Sequence, residues 1–299
     1  MFASPSIPVA ICCALLIGIS VSGIGFNVMH DGGHKSFSAS KNINRLMAYS
    51  ADLIGASSYH WKLKHNLLHH TYVNIDGYDS DLHVGGLARF APSQPRYFFH
   101  RFQHWYMWIL YSFIKVKWSY FDDYETWFKG KLGKQPIKRA KGKTLFWMIV
   151  GKVFFYTWAL VLPLLFHPIA HVLCLYAIAT AVSGLTLAVV FSLAHMSEGA
   201  DFPLPHQQTN TLEDDWMIHQ LRTTVNFAKT NRLLSWYVGG LNYQIEHHLF
   251  PTISHVHYPA LSSIVEKTCK EYGLPYLYYP TMREGIIAHY HLLRTLGNT

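Results

Sequence analysis

Three stretches of this chain carry apolar residues almost without interruption. Ile7 to Met29 is 23 residues without a charge. Leu145 to Phe166 is broken by Lys152 near its start and Pro163 near its end. Ile169 to Ala194 is 26 residues in which only His171 titrates. A helix rises ~1.5 Å per residue, so each run is long enough to cross a hydrocarbon core of ~30 Å. The first run is no signal peptide: it lacks a basic n-region and outruns the usual h-region of about 7–15 residues. Lys152 is placed to snorkel towards an aqueous face, and Pro168 punctuates a tight return between the second and third spans.

The rest of the chain reads differently. Leu46 to Tyr59 is apolar apart from Asp52, too short for a span, and is expected to be an interfacial or re-entrant helix. Residues 85–143 are polar and aromatic, with twelve Lys/Arg against three Asp/Glu. Tyr106, Trp108, Tyr111, Trp118, Tyr120 and Trp127 suggest amphipathic helices anchored at a membrane interface. Beyond His195 the pattern is soluble-like. It predicts helices over Trp216 to Ser235 and Pro259 to Gly273, and a frayed end at Gly297-Asn298-Thr299. No repeat, low-complexity tract or Pro/Ser linker divides the chain. The expectation is therefore an all-α membrane protein of one domain, residues 1–299. Its spans lie near 7–29, 145–166 and 169–194, and a helical cap is formed by residues 30–144 and 195–299.

Composition agrees: half of the residues are hydrophobic and only 14% charged, against about 25% charged in soluble domains. The net charge of +8 in such a chain points to anionic lipid headgroups or an acidic protein partner, not to nucleic acid. The four cysteines form no CxxC pair, which excludes a disulfide framework, an Fe–S cluster and a thiolate zinc site. Lys129 to Lys143 holds seven bases and no acid, and short basic loops stay on the cytoplasmic side. The mouth of the 145–194 hairpin faces that side. His195, ending the third span, and His30, ending the first, fall there too.

The candidate chemistry lies in histidines. His30-Asp31-Gly32-Gly33-His34, His65-Asn66-Leu67-Leu68-His69-His70 and Gln244-Ile245-Glu246-His247-His248 offer seven imidazoles in three short boxes. Seven exceeds what one tetrahedral zinc uses and is about what two metal ions sharing a site need. Imidazole suits iron, zinc, copper and nickel alike. If the first span continues, His30 and His34 share a helical face, although Gly32 and Gly33 argue for fraying. On an α-helix His65 and His69 share a face and His70 is turned about 100° away, so two would serve one metal and the third its neighbour. His195 is a further candidate ligand because it ends a span beside the site. His219 is open between ligand, support for a ligand and ordinary helix residue. Asp76, Asp79 and Asp81 do not fit an EF-hand calcium loop; as acceptors for imidazole N–H groups they fit better. His100, His104, His167, His171, His255, His257, His289 and His291 lack box spacing.

An imidazole-rich, carboxylate-poor set differs from soluble di-iron bundles. Neutral ligands leave two divalent metals strongly positive, a state fitted to activating O2 and removing hydrogen from an unactivated C–H bond of a hydrocarbon chain. A lipid hydroxylase would use the same ligands. A metal transporter or sensor would place polar groups near the bilayer midplane, whereas these histidines sit at span ends and in loops.

On these boxes the chain resembles the membrane-bound fatty acid desaturases, and more narrowly the acyl-lipid and linoleoyl-CoA-type front-end desaturases. The most specific stretches are His30 to His34, Lys64 to Tyr72 and Gly239 to Pro251. Gln244 stands where most desaturases carry the first histidine of the third box, a replacement that marks the front-end group. The resemblance implies that His30, His34, His65, His69, His70, His195, His247 and His248 hold two iron ions, with Gln244 in a ligand-equivalent position. Zinc can substitute in such a site, since both metals accept imidazole. It further implies a lipid- or CoA-linked acyl substrate, O2, two external electrons per turnover and a cis double bond. The His-Pro-Gly-Gly haem motif of fused relatives is absent; the one His-Pro here continues as His167-Pro168-Ile169-Ala170. Electrons are thus expected from a separate carrier such as ferredoxin or cytochrome b5, whose acidic surface suits the basic loop. The family has four spans. A fourth is expected upstream of the first, unless the N-terminus lies on the far side of the membrane.

Overall fold

A computed structural model describes residues 6–299. Three helices are long and apolar enough to cross a membrane: Ile7–His34, Gly142–Leu164 and Ile169–His195. Among the described residues the only strands are two short two-stranded ladders. One pairs Lys131–Leu132 with Gln135–Pro136; the other pairs Asn226–Phe227 with Tyr278–Tyr279.

The first span packs along the third. Small residues allow this: a Cβ on Gly18 would fall 2.6 Å from the Ala179 carbonyl oxygen. Ser22 Oγ lies 3.2 Å from the Ser183 carbonyl oxygen and 3.3 Å from Ser183 Oγ. Small and hydroxyl-bearing residues are what helix pairing within a bilayer requires, since apolar burial gives no drive there. At their lower halves both helices are lipid-facing, with Ile7, Leu16 and Ile169 exposed. Their upper halves enter a common core of Phe26, Leu187, Leu193, Phe227, Leu241 and Leu293.

The first helix does not fray at its glycines. It is α-helical to Gly23, widens to π turns over Ile24–Met29 and resumes as His30–His34. It ends where Lys35 takes φ 64°. Gly32 and Gly33 are needed for close approach: their Cβ atoms would fall 2.5 Å from the Ala48 nitrogen and 2.1 Å from the Trp61 ring.

The second span leans on short helices, Ser50–Leu53 and Ser58–Trp61; the expected 46–59 helix is broken between these two and the end of Lys41–Ala48. Lys152 does not snorkel. It is buried, with Nζ 2.6 Å from Asp123 Oδ2, 2.9 Å from the Gly55 carbonyl and 3.1 Å from the Ser119 carbonyl. Asp123 also accepts from the Ser57 amide at 2.8 Å and faces His60 Nδ1 at 3.3 Å. Burial opposes ionisation of Asp123, but hydrogen bonds from His60 and Lys152 outweigh it and hold its carboxyl below the ordinary range. An interior carboxylate with carbonyls beside it meets all three ammonium protons, so the lysine gains nothing by reaching for water.

The expected 216–235 helix is also divided. Trp216–Thr223 stops, the chain extends through Asn226–Phe227, and Arg232–Tyr237 begins on an Asn231 cap. Tyr258–Tyr272 matches its expectation and closes on Gly273. The C-terminal helix Met282–Asn298 starts on a Thr281/Glu284 capping box and does not fray. Gly297 packs on the His100 carbonyl.

Removing one partner of a buried ion pair leaves the other uncompensated, at a cost of about 3–5 kcal/mol. Lys152→Ala should therefore lower the thermal midpoint in detergent markedly, and Lys152→Met with Asp123→Leu should recover much of it. An unchanged midpoint in the single variant would remove the pair from the stability account.

Candidate metal centre

The second histidine box departs from α-helical winding. Lys62–His69 is a π-helix, in which the His70 amide reaches back to the His65 carbonyl, five residues earlier. His65 and His70 are thereby brought over one another, with Nε2 atoms 3.3 Å apart. The α-helical expectation, His65 with His69, gives way. His65 turns to the first box, where its Nε2 lies 3.1 Å from His30 Nε2. His69 turns the other way, towards His195 and His248.

Among the described residues, three all-histidine groups have ring nitrogens within 4.8 Å of one another. They are His30/His34/His65/His247, His69/His195/His248 and His70/His247/His248. His247 and His248 are consecutive on the helix Gln244–Leu249 and so diverge by about 100°, which lets one short helix serve two groups. All eight imidazoles suggested by the sequence thus converge, and all are buried. Gln244 is buried beside His195. His219 is buried nearby but belongs to none of the groups.

Four of the rings have an outer nitrogen oriented by a hydrogen-bond partner. His69 Nδ1 donates to Asp79 Oδ2 at 3.1 Å, with Asp81 Oδ2 at 3.5 Å. His195 Nδ1 donates to the Thr223 carbonyl at 3.2 Å. His248 Nδ1 donates to Gln220 Oε1 at 2.8 Å. His247 Nδ1 pairs with the Tyr258 hydroxyl at 3.1 Å. Carbonyl and carboxylate oxygens only accept, so at His69, His195 and His248 the proton sits on Nδ1 and the Nε2 lone pair faces inward. This is the tautomer that a metal ligand needs. Asp31 carries the same logic outward, taking His255 Nδ1 at 2.8 Å and Ser254 Oγ at 3.2 Å. It ties the first box to the loop after the third.

Electrostatics agree with the geometry. Burial, reinforced by neighbouring imidazoles, pushes His65, His70, His247 and His248 well below the usual histidine range, so they are neutral. His69 is the exception: burial lowers it, but the Asp79 carboxylate outweighs burial and raises it. Burial pushes the Glu246 carboxyl up; it is held by Asn226 Nδ2 at 2.8 Å and the Tyr276 hydroxyl at 2.9 Å. Inside the site His34 Nε2, His247 Nε2, His248 Nε2, His70 Nδ1 and Gln244 Oε1 find no protein partner. A buried polar atom without a partner costs about 1–3 kcal/mol. Several orphaned nitrogens aimed at common points fit metal ions, and neutral nitrogen donors fit iron or zinc better than calcium or magnesium.

Of the acidic candidates, Asp79 and Asp81 reach His69, while Asp76 turns away to Ser93 Oγ at 2.8 Å. Gln220, Thr223, Tyr258 and His255 were not legible as site residues. A buried polar face on the helix Trp216–Thr223 was the only signal for the first two.

A cavity of about 230 Å³ opens against His65, His69 and His195. Its walls are mainly apolar, including Phe90, Met107, Trp118, Leu187 and Phe191, and its rim carries Lys64 and Asp81. A family model described as fatty acid desaturase matches residues 5–280. The chain belongs to the fatty acid desaturase family. This desaturase is 37% identical, over 99% of its length and 83% of the relative's, to a Synechocystis sp. protein named sn-1 linoleoyl-lipid 6-desaturase. An Arthrospira platensis protein of the same name is 38% identical over 95% of this chain and 77% of its own. An acyl-lipid (8-3)-desaturase of Physcomitrium patens is 37% identical over all of this chain and 62% of its own length. The desaturase is accordingly an oxidoreductase of lipid metabolism and a membrane protein.

The outer hydrogen bonds predict metal affinity. Asp79→Ala and Gln220→Leu should each weaken Fe(II) or Co(II) binding about 10–100-fold, read by titrating metal-free protein. Wild-type affinity in both would deny these residues any part in holding the ligands.

Proposed function

We propose that this desaturase is a di-iron enzyme that inserts a cis double bond towards the carboxyl end of a lipid-linked acyl chain. The observation that carries the reading is the convergence of eight buried imidazoles beside an apolar cavity. His30, His34, His65 and His247 would hold one ion and His69, His195 and His248 the other. His70 stands between them, and Gln244 lies beside His195. Iron bound there supplies O2 activation and hydrogen removal, which no side chain of this protein can do alone. Zinc would fill the same nitrogens without redox chemistry. The net change converts a –CH2–CH2– unit, O2, two electrons and two protons into –CH=CH– and two waters.

The chain's own residues contribute position and dryness. Phe90, Met107, Trp118, Leu187 and Phe191 hold a hydrocarbon and exclude water from it. Asp79, Thr223 and Gln220 keep imidazole protons on the outer nitrogens of His69, His195 and His248, and the Tyr258 hydroxyl orients His247. Leu87, Phe113 and Ile114 line the cavity and are exposed, so its rim is apolar as well as charged. An apolar rim suits a chain delivered from a bilayer. Lipid linkage and front-end selectivity are supported by the relatives' names and by Gln244 in the third box.

We further propose one catalytic domain over residues 1–299, with residues 30–144 and 195–299 on the cytoplasmic side. The bases of Lys129 to Lys143 support that orientation. Lys129, Lys131 and Lys134 are exposed there and offer a docking face to an acidic electron carrier, a ferredoxin or cytochrome b5 type.

Expression with a reductase and carrier in a host lacking polyunsaturated lipids tests the reading, with mass-spectrometric double-bond localisation. A new double bond is expected, lost together with bound iron in His69→Ala and His248→Ala. A hydroxylated product from the iron-loaded enzyme would replace desaturation by hydroxylation. Charge reversal at Lys129, Lys131 and Lys134 should raise the carrier KM and flatten its salt dependence. A carrier KM that does not move would make that loop a lipid contact.

A further inference from the structure

The cavity beside the histidines does not end in continuous protein. Beyond it lies a second, smaller void of about 10 Å³, bordered by Met29, Ile54 and Ala56. Trp118, Leu187 and Phe191 line both spaces. Leu187 and Phe191 are one turn apart on the third span and so share a face. Trp118 comes from a different element, the π-wound segment Trp118–Asp122 that follows Ile114–Lys117. Its ring packs against both buried clusters, the one around Leu187 and Leu193 and the one formed by Met29, Ala51, Ala56 and Trp61. Single π turns recur at functional sites because they re-aim side chains. In this chain two others lead into or carry histidine boxes.

The two ends of the cavity differ in chemistry. Beside His69 the cavity carries the ion pair Lys64–Asp81, at 2.6 Å, with Asp81 Oδ2 3.5 Å from His69 Nδ1. Behind Trp118 the void is bounded mainly by apolar side chains, Met29, Ile54, Ala56, Leu187 and Phe191. Its one charged residue, Lys115, is tied to Ser119 Oγ at 2.7 Å. A chain with a polar and an apolar end therefore seats its ester end at the rim and its methyl end towards Trp118.

We propose that Trp118 is a specificity-determining residue: its indole closes the cavity against the void behind it and limits the length of acyl chain that fits beyond the carbons being desaturated. The proposal rests on the reading that the cavity takes an acyl chain. Its ligand is the methyl half of that chain. Trp118 reaches the histidines only at second hand, through the cluster that contains Trp61, whose ring stacks on His65 at 4.6 Å, so its variants are compared at matched metal content.

The test compares wild type, Trp118→Ala and Trp118→Phe on matched acyl chains, from the best wild-type substrate to chains several methylenes longer. One methylene in an apolar pocket changes selectivity about 10–200-fold. Trp118→Ala should therefore raise the conversion of longer chains relative to the best wild-type substrate by about tenfold or more, with Trp118→Phe between. The bond position, counted from the carboxyl, should not move. Thermal upshift of metal-free protein by the same chains should follow the same order, giving a readout that does not require turnover. Unchanged length ratios and upshifts, in whichever variant retains wild-type metal content, overturn the role of Trp118. A wild type that binds chains without forming a double bond contradicts the desaturase reading and leaves the length ranking to decide on Trp118. A wild type that binds none removes both.

Discussion

An imidazole sealed from water does not readily take up a proton, and leaving its ring nitrogens without partners costs free energy. Eight such rings are sealed together in this structure. Three of those whose outer nitrogen is hydrogen-bonded meet an oxygen that can only accept, contributed by a helix end, a loop carboxylate or an amide from elsewhere in the chain. The architecture follows from bringing those acceptors into reach. The helix Trp216–Thr223 stops where it does with Thr223 offering a free carbonyl to His195 and Gln220 reaching His248. The Asp79 turn is folded back on His69, and its own carboxylate is further held by the Asn74 and Asp81 amides.

The same constraint explains the unusual winding. An α-helix carrying two ligands one turn apart presents them in parallel, to one centre. Over Lys62–His69 the wider turn aligns His65 with His70 and frees His69 to face the opposite group. A regular α-helix would instead pair His65 with His69 and turn His70 away from both. Gly32 and Gly33 serve the same end by admitting Met47, Ala48 and Trp61 against the first box. The box is thereby buried, with Trp61 also forming part of the cavity wall.

Much of this was legible in the sequence, and the boundary is physical. The spans were visible because a bilayer demands about 20 apolar residues in a row, a signal that few other structures imitate. The boxes were visible because three of them recur in one chain, the first at the end of a span; a single such spacing would have meant little. The π winding was not, since the pattern H-x-x-x-H-H suits either helix and the choice depends on distant partners. Gln220, Tyr258 and His255 were hidden for a related reason: a single polar residue announces nothing until its contact is known. Lys152 looks free to snorkel because that is the default for a lysine in a span. Its partner Asp123 lies 29 residues earlier, in a segment with no visible connection to it. The glycines of the first box looked like helix breakers because close packing leaves no trace in the glycine itself.

The groups also draw on the whole length of the chain, from His30 in the first span to His248 in the last box. This has a consequence for biogenesis. All three spans precede the third box, so they must enter the membrane while the centre still lacks one wall. Until residues 244–249 dock, the earlier imidazoles lack the neighbours His247 and His248 that complete their groups. Bringing the eight imidazoles together is therefore a late event, because it waits for a helix that follows every span.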